Sequence, residues 1–223
     1  MENTNTFKVQ STSSNLISLN VTPGHYATSS SHINYYIDMT SLKSRRSEAH
    51  AAAKVLAARY AATTIIDTIV CLDGTNVIGA YLADELLNTG ILSANLHNTA
   101  YIISPEQHSG GQLIFRENYL SMIKGKHVLV LLATATTGKT LQTALECIEY
   151  YGGEVVGVSS IFSAADEIHG EQINTIFRTE DIPNYETHSA ADCPLCKAGI
   201  PIKGIINSCL LYTSPSPRDT ERS

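Results

Sequence analysis

The sequence has no apolar run near the roughly 18 residues that a membrane-spanning helix needs, so no membrane partner is expected. Its opening, MENTNTFKVQSTSSN, lacks the apolar stretch of a signal peptide. Cysteine is sparse: five residues, an odd number, do not suit a disulfide scaffold. Positive charge is also in short supply. Lys and Arg number 15 against 21 Asp and Glu, a net charge of −6. A general nucleic-acid binder carries a basic footprint, so no nucleic-acid partner is expected. Charged residues make up only 16% of the chain, below the usual quarter or so. These absences point to a soluble, cytoplasmic protein. What is present is apolar mass: 223 residues at 43% hydrophobic can build one or two domains with a core, and do not describe a disordered chain.

Residues 1–14 are rich in Ser, Thr and Asn and read as a flexible arm. Residues 15–21 alternate as one strand, and a polar stretch follows over 22–34. Residues 44–62 are rich in helix formers, with Ala49, Ala52, Ala53, Leu56 and Tyr60 on one face. The run IIDTIVCL (65–72) suits a strand buried on both sides. Gly74 leads into a helix with Val77, Ile78, Tyr81, Leu82 and Leu86 on its apolar side. A short strand is predicted at 100–104, then a flexible loop, PEQHSGG, at 105–111. A second buried run covers 128–132, and a helix follows over 138–151, ended by Gly152 and Gly153. Strands are predicted again at 155–162 and 174–177. Alternating strands and helices, with strands buried on both faces, mean an α/β fold with a mostly parallel sheet. Ligands of such sheets bind at the carboxyl ends of the strands, which directs attention to the loops after Leu72, Ser104 and Leu132.

The segment VLVLLATATTGKT (128–140) is the richest in chemistry. A buried strand ends in small hydroxyl residues, and a helix then begins. Backbone N–H groups and the positive helix end converge there on one spot. Thr134, Ala135, Thr136, Thr137, Gly138, Lys139 and Thr140 are the candidate phosphate-binding residues. The plainer reading is a helix start with an incidental threonine cluster. Two families use such a loop. In P-loop nucleotide hydrolases the pattern is G-x-x-x-x-G-K-[ST]. Here Ala133 takes the first glycine's place, and no later strand ends in an Asp suited to Mg²⁺.

The second family fits better. Thr136-Thr137-Gly138 after VLVLL resembles the ribose 5-phosphate loop of the type I phosphoribosyltransferases. GHYATSSS (24–31), followed by Tyr35, Tyr36, Ile37 and Asp38, is similar to the orotate phosphoribosyltransferase opening G-x-F-x-L-x-S-G … Y-Y-x-D. IDTIVCLDGTNVIG (66–79) stands where that family has a strand and its pyrophosphate loop. DCPLC (192–196) followed by GIP (199–201) resembles the ending of many members. The resemblance implies a parallel sheet of about five strands flanked by helices, with a small N-terminal hood. It divides the chain into a hood (15–42), a core (43–180) and a C-terminal C-x-x-C segment (181–208). It also implies a homodimer, Mg²⁺, and a phosphoribosyl pyrophosphate or nucleotide ligand of pyrimidine biosynthesis. It places Asp73, Gly74 and Thr75 at the pyrophosphate and ribose, and Tyr35, Tyr36 and Asp38 near the base.

The departures from this pattern fall on the chemistry. The two acidic residues that precede the family's phosphate loop are replaced by Leu132 and Ala133. The mobile loop, 103–111, has no Lys or Arg, and Ser29 stands where the opening motif has a basic residue. Asp73 adds negative charge near the leaving group. One lost preorganised donor costs on the order of 3 kcal/mol in the transition state, so orotate phosphoribosyl transfer is expected to be weak or lost. A non-catalytic nucleotide sensor is the alternative, and a P-loop hydrolase a more distant one. His108 is the loop's one titratable imidazole and a candidate acid or replacement cation; the plainer reading is a solvated side chain.

Cys193 and Cys196 form a C-x-x-C, half of a zinc site, with His188 as at most a third ligand. A knuckle-like turn that pins the C-terminus is the leading reading, ahead of zinc. Cys71 and Cys147 are read as core residues, Arg45 and Arg46 as a solvated face. Asp73 is equally a ligand residue or a helix cap. LLYTSPSPRDTERS (210–223) breaks from the preceding composition and resembles translated sequencing-adapter sequence. Residues 209–223 are therefore read as a non-native tail, or more plainly as a disordered one, and in either case carry no site.

Overall fold

The computed structural model describes residues 6–28, 31–88, 94–95, 99–108, 111–207 and 210–212. In chain order the elements are β1 (Phe7–Gln10), β2 (Ser18–Ala27), β3 (His32–Asp38), α1 (Thr40–Ser44), α2 (Arg46–Ala57), β4 (Thr68–Cys71) and α3 (Asn76–Asn88). Next come β5 (Tyr101–Ile103), β6 (Glu106–Gln107), β7 (Leu113–Ile114), β8 (His127–Ala135), α4 (Lys139–Tyr150), β9 (Glu154–Ser163), β10 (Glu167–Ile168) and β11 (Glu171–Arg178). The described chain ends with β12 (Thr187–His188), α5 (Pro194–Lys197), β13 (Gly204–Asn207) and β14 (Leu210–Tyr212).

The central sheet runs β10-β11-β9-β8-β4-β5 and is parallel except for β10. Its middle strands alternate between two cores. Ile69, Cys71, Leu129, Leu131 and Ala133 pack with α2, α3 and the N-terminal strands. Val70, Leu72, Val128, Val130 and Leu132 pack with α4. That is why these runs are apolar without a break. From β4 the chain crosses to β5 on one side, then returns to β8 on the other. The strand order therefore reverses between β4 and β8, which opens a crevice at their carboxyl ends. A second sheet, β12-β3-β2-β13-β14 with β1 on β2, forms the hood.

Several sequence expectations change. Phe7–Gln10 is a strand rather than part of a loose arm, in antiparallel register with residues 18–21. The polar stretch 22–34 continues β2 and begins β3, with a register shift between Pro23 and Tyr26. Ile65 is 46% exposed and lies outside β4, and Val77 is 39% exposed on α3. The helix predicted over 44–62 is shorter, Arg46–Ala57, and the extended backbone of Arg45 separates it from the short α1 before it. The segment read as a flexible loop carries a short ladder, Glu106↔Ile114 and Gln107↔Leu113. Strand β8 runs on through Thr134 and Ala135, paired with Phe162 and Ser163. Leu210–Tyr212, within the stretch read as a tail, pairs with β13.

Candidate ligand-binding site

The crevice between β4 and β8 holds a cavity of about 350 Å³. All seven residues of the predicted phosphate loop line it: Thr134, Ala135, Thr136, Thr137, Gly138, Lys139 and Thr140. Gly138 caps α4 in the left-handed region, at φ 76°. A Cβ there would lie 2.3 Å from Ile168 Cγ2 and 3.1 Å from His169 Nε2, so only glycine fits the turn. The first intrahelical bond runs from Gln142 N–H to Gly138 C=O. The N–H groups of the first turn before it have no intrahelical partner, and no side chain caps the helix. Together with the helix dipole they favour an anion.

The facing wall is the turn after β4. Asp73 and Gly74 both take positive φ, 54° and 75°. This turn carries the Asp73 carboxylate to the end of β8, where it accepts hydrogen bonds from the backbone N–H groups of Ala133 and Thr134. Burial raises its pKa, while Lys43 and those two N–H groups oppose the shift. Lys43 Nζ also donates to the Asp73 carbonyl at 2.8 Å. Sequence reasoning missed Lys43 because it sits 30 residues away on α1; its proximity comes from the packing of α1 against the β4 turn.

The other predicted residues divide. Tyr36 lines the cavity from the hood, beside Thr28, Ser31 and Ile33. Tyr35 points the other way, as strand alternation requires, and packs edge-on against Phe7. Asp38 accepts from Thr40 N–H at 2.9 Å and does not line the cavity. Thr75 is fully buried, and its hydroxyl donates to the Leu72 and Leu131 carbonyls, so it locks the turn instead of touching a ligand. His108 is exposed and outside the lining, whereas its neighbour Gln107 is in it. Ser29 lies outside the described residues. Tyr185 and Phe162, which sequence reasoning did not single out, form the apolar floor, with rings 5.2 Å apart. Burial pushes the Tyr185 phenol up to about 12. Cys71 also lines the cavity, and burial pushes its thiol up to about 12, which makes it unreactive. Among the described lining residues, Lys139 is the one Lys or Arg and Asp73 the one carboxylate.

Away from the cavity, Cys193 and Cys196 meet His25 and His32. The donor atoms of these four side chains all lie within 4.8 Å of one another. His188 is not among them; its Nε2 contacts Glu186 at 3.1 Å. Sequence reasoning paired the cysteines with the nearest histidine in the chain, but the partners come from β2 and β3, more than 160 residues away.

No protein-family model matches the chain. An orotate phosphoribosyltransferase of Caldanaerobacter subterraneus subsp. tengcongensis is 35% identical over 81 residues, 35% of this chain and 40% of that protein. The match thus spans less than half of that relative's length. The orotate phosphoribosyltransferase of Pelotomaculum thermopropionicum is 27% identical over 181 residues, 80% of this chain and 86% of that protein. Among solved structures, Mycobacterium tuberculosis orotate phosphoribosyltransferase in complex with Fe(III) dicitrate superposes with a TM-score of 0.51 at 18% identity. That superposition covers 74% of this chain and 93% of the other.

Proposed function

We propose that this chain, which has the type I phosphoribosyltransferase fold and is a divergent relative of the orotate phosphoribosyltransferases, binds a 5-phosphorylated ribose in the β4–β8 crevice. The ligand is phosphoribosyl pyrophosphate or a nucleoside 5′-monophosphate. The observation that carries this reading is the wall of residues 134–140, which presents a helix start and a lysine to the cavity opposite Asp73. The 5-phosphate sits on the first turn of α4. The sugar hydroxyls lie toward Asp73, whose carboxylate is held at the Ala133 and Thr134 N–H groups. It is the one acid available where the family has two. The base lies under Tyr36, near Tyr185 and Phe162. The lining set of one carboxylate with amides and hydroxyls fits Mg²⁺ bound mainly through a ligand's own phosphates, with Asp73 as the protein's contribution.

Transfer itself is expected to be weak or lost. Charge that develops on departing pyrophosphate needs cations, and the lining supplies only Lys139 on the phosphate side. Removing two or more such donors lowers the rate by at least about 100-fold. Calorimetric titration with phosphoribosyl pyrophosphate and Mg²⁺, then with orotidine monophosphate, tests the reading, and added orotate tests for product. Binding without turnover is expected. Rapid product formation would overturn the loss of activity, and no binding of either ligand would remove the phosphoribosyl assignment. Lys139→Ala separates the P-loop alternative, in which alone it abolishes ATP or GTP binding. We also expect a homodimer, checked by light scattering; a monodisperse monomer counts against it.

A further inference from the structure

We propose that His25, His32, Cys193 and Cys196 form a structural zinc site that fastens the C-terminal segment to the hood, whatever ligand the cavity takes. The spacing of the donor atoms is close to that of a coordination shell. A tetrahedral zinc with Zn–S near 2.3 Å and Zn–N near 2.0–2.1 Å places neighbouring donors about 3.3–3.8 Å apart. Here His25 Nε2 lies 3.1 Å from His32 Nδ1, 3.5 Å from Cys193 Sγ and 3.7 Å from Cys196 Sγ. Cys196 Sγ lies 3.2 Å from His32 Nδ1. Four of the six donor pairs thus stand 3.1–3.7 Å apart, and all six lie within 4.8 Å.

The protonation states agree. His25 Nδ1 is 2.8 Å from the Ile200 carbonyl, which can only accept, so Nδ1 carries the proton. Nε2, which keeps its lone pair, is then the ring atom within 3.7 Å of the other three donors. This hydrogen bond is the outer contact that fixes a ligating histidine's tautomer and orientation. A donor set of two sulfurs and two imidazole nitrogens selects zinc over magnesium or calcium, which prefer oxygen. Four protein ligands leave no open position, so the site is structural rather than catalytic. His25 is 1% and Cys193 0% exposed, while Cys196 is open to solvent and gives the ion its entry.

The placement states what the ion does. His25 lies on β2 and His32 on β3, the two strands of a hairpin from which Thr28 and Ser31 line the cavity. Beyond the cysteines the chain bonds back to this hairpin, through Lys203 N–H to His25 C=O at 2.7 Å, and through the β13–β2 pairing.

The test uses the full chain, purified under a reductant without chelator. Elemental analysis is expected to find one zinc per chain. The chelator-treated chain titrated with Co²⁺ should develop the visible bands of a tetrahedral thiolate–cobalt centre, which added Zn²⁺ abolishes. Zn²⁺ should raise the melting temperature of the chelated chain. Cys196→Ser, at an exposed position, should keep the circular dichroism of the fold yet lose the cobalt spectrum and at least tenfold in zinc affinity. His32→Gln serves as the second variant if that one misfolds. A folded, metal-free chain without cobalt bands overturns the proposal, as do bands and affinity unchanged in both variants.

Discussion

Asp73 and Gly138 face each other across the crevice, and each position is governed by one physical constraint. Asp73 is a half-buried carboxyl whose pKa burial raises, against the opposing pull of Lys43 and two backbone N–H groups. A raised folded pKa means that the folded chain holds this proton more tightly than the unfolded one. The associated stability is complete below the ordinary value of 3.8 and is lost as pH rises through the folded value. Asp73→Asn is therefore expected to raise the urea midpoint at neutral pH, with the gain shrinking on acidification. Asparagine tolerates the positive φ. A midpoint lowered equally at all pH values would contradict this. At Gly138, alanine meets a left-handed backbone, costing about 1–2 kcal/mol, and a clash with Ile168 of the kind that costs about 1–3 kcal/mol. Gly138→Ala should lose about 2–5 kcal/mol in denaturant melts and should weaken phosphate binding.

The elements differ in how far their sequence announces them. Strands β4 and β8 were legible because both faces are buried, so nearly every residue is apolar. The helix faces of α2 and α4 were legible from their period. The hood was not. Residues 22–34 are polar because much of β2 and β3 is only half buried, and their pairing is settled by distant partners such as Gly204 and Thr187. The phosphate loop could be read from its local chain, whereas Lys43 and the histidines at Cys193 could not, since packing alone brings them there. Helix α3 carries a test of packing against propensity. In an open helix Gly→Ala gains about 1 kcal/mol. At Gly79 the new Cβ would stand 2.4 Å from the buried Cys71 Sγ, so Gly79→Ala should destabilise the fold by about 1–3 kcal/mol, read from thermal melts.

At the scale of the molecule, the central sheet holds both apolar clusters, and the hood closes over one end of the crevice. Among the described residues, strand β14 borders only β13. A chain ended at Asn207 should therefore keep its main melting transition and its ligand titration, while one ended at Ser189 should keep the central sheet but lose the hood's contribution to binding. Hydrogen exchange on the two truncations checks both outcomes; slow exchange retained throughout β2 and β3 in the shorter chain would be the contrary result. The hood's own strand order has a consequence for synthesis. Its first strands leave the ribosome before any of the central sheet, yet β12 and β13, which flank them, emerge after β11 has completed that sheet. During translation the binding crevice is thus built floor first, and the nascent protein acquires its roof only when β12 and β13 return to the earlier strands β3 and β2.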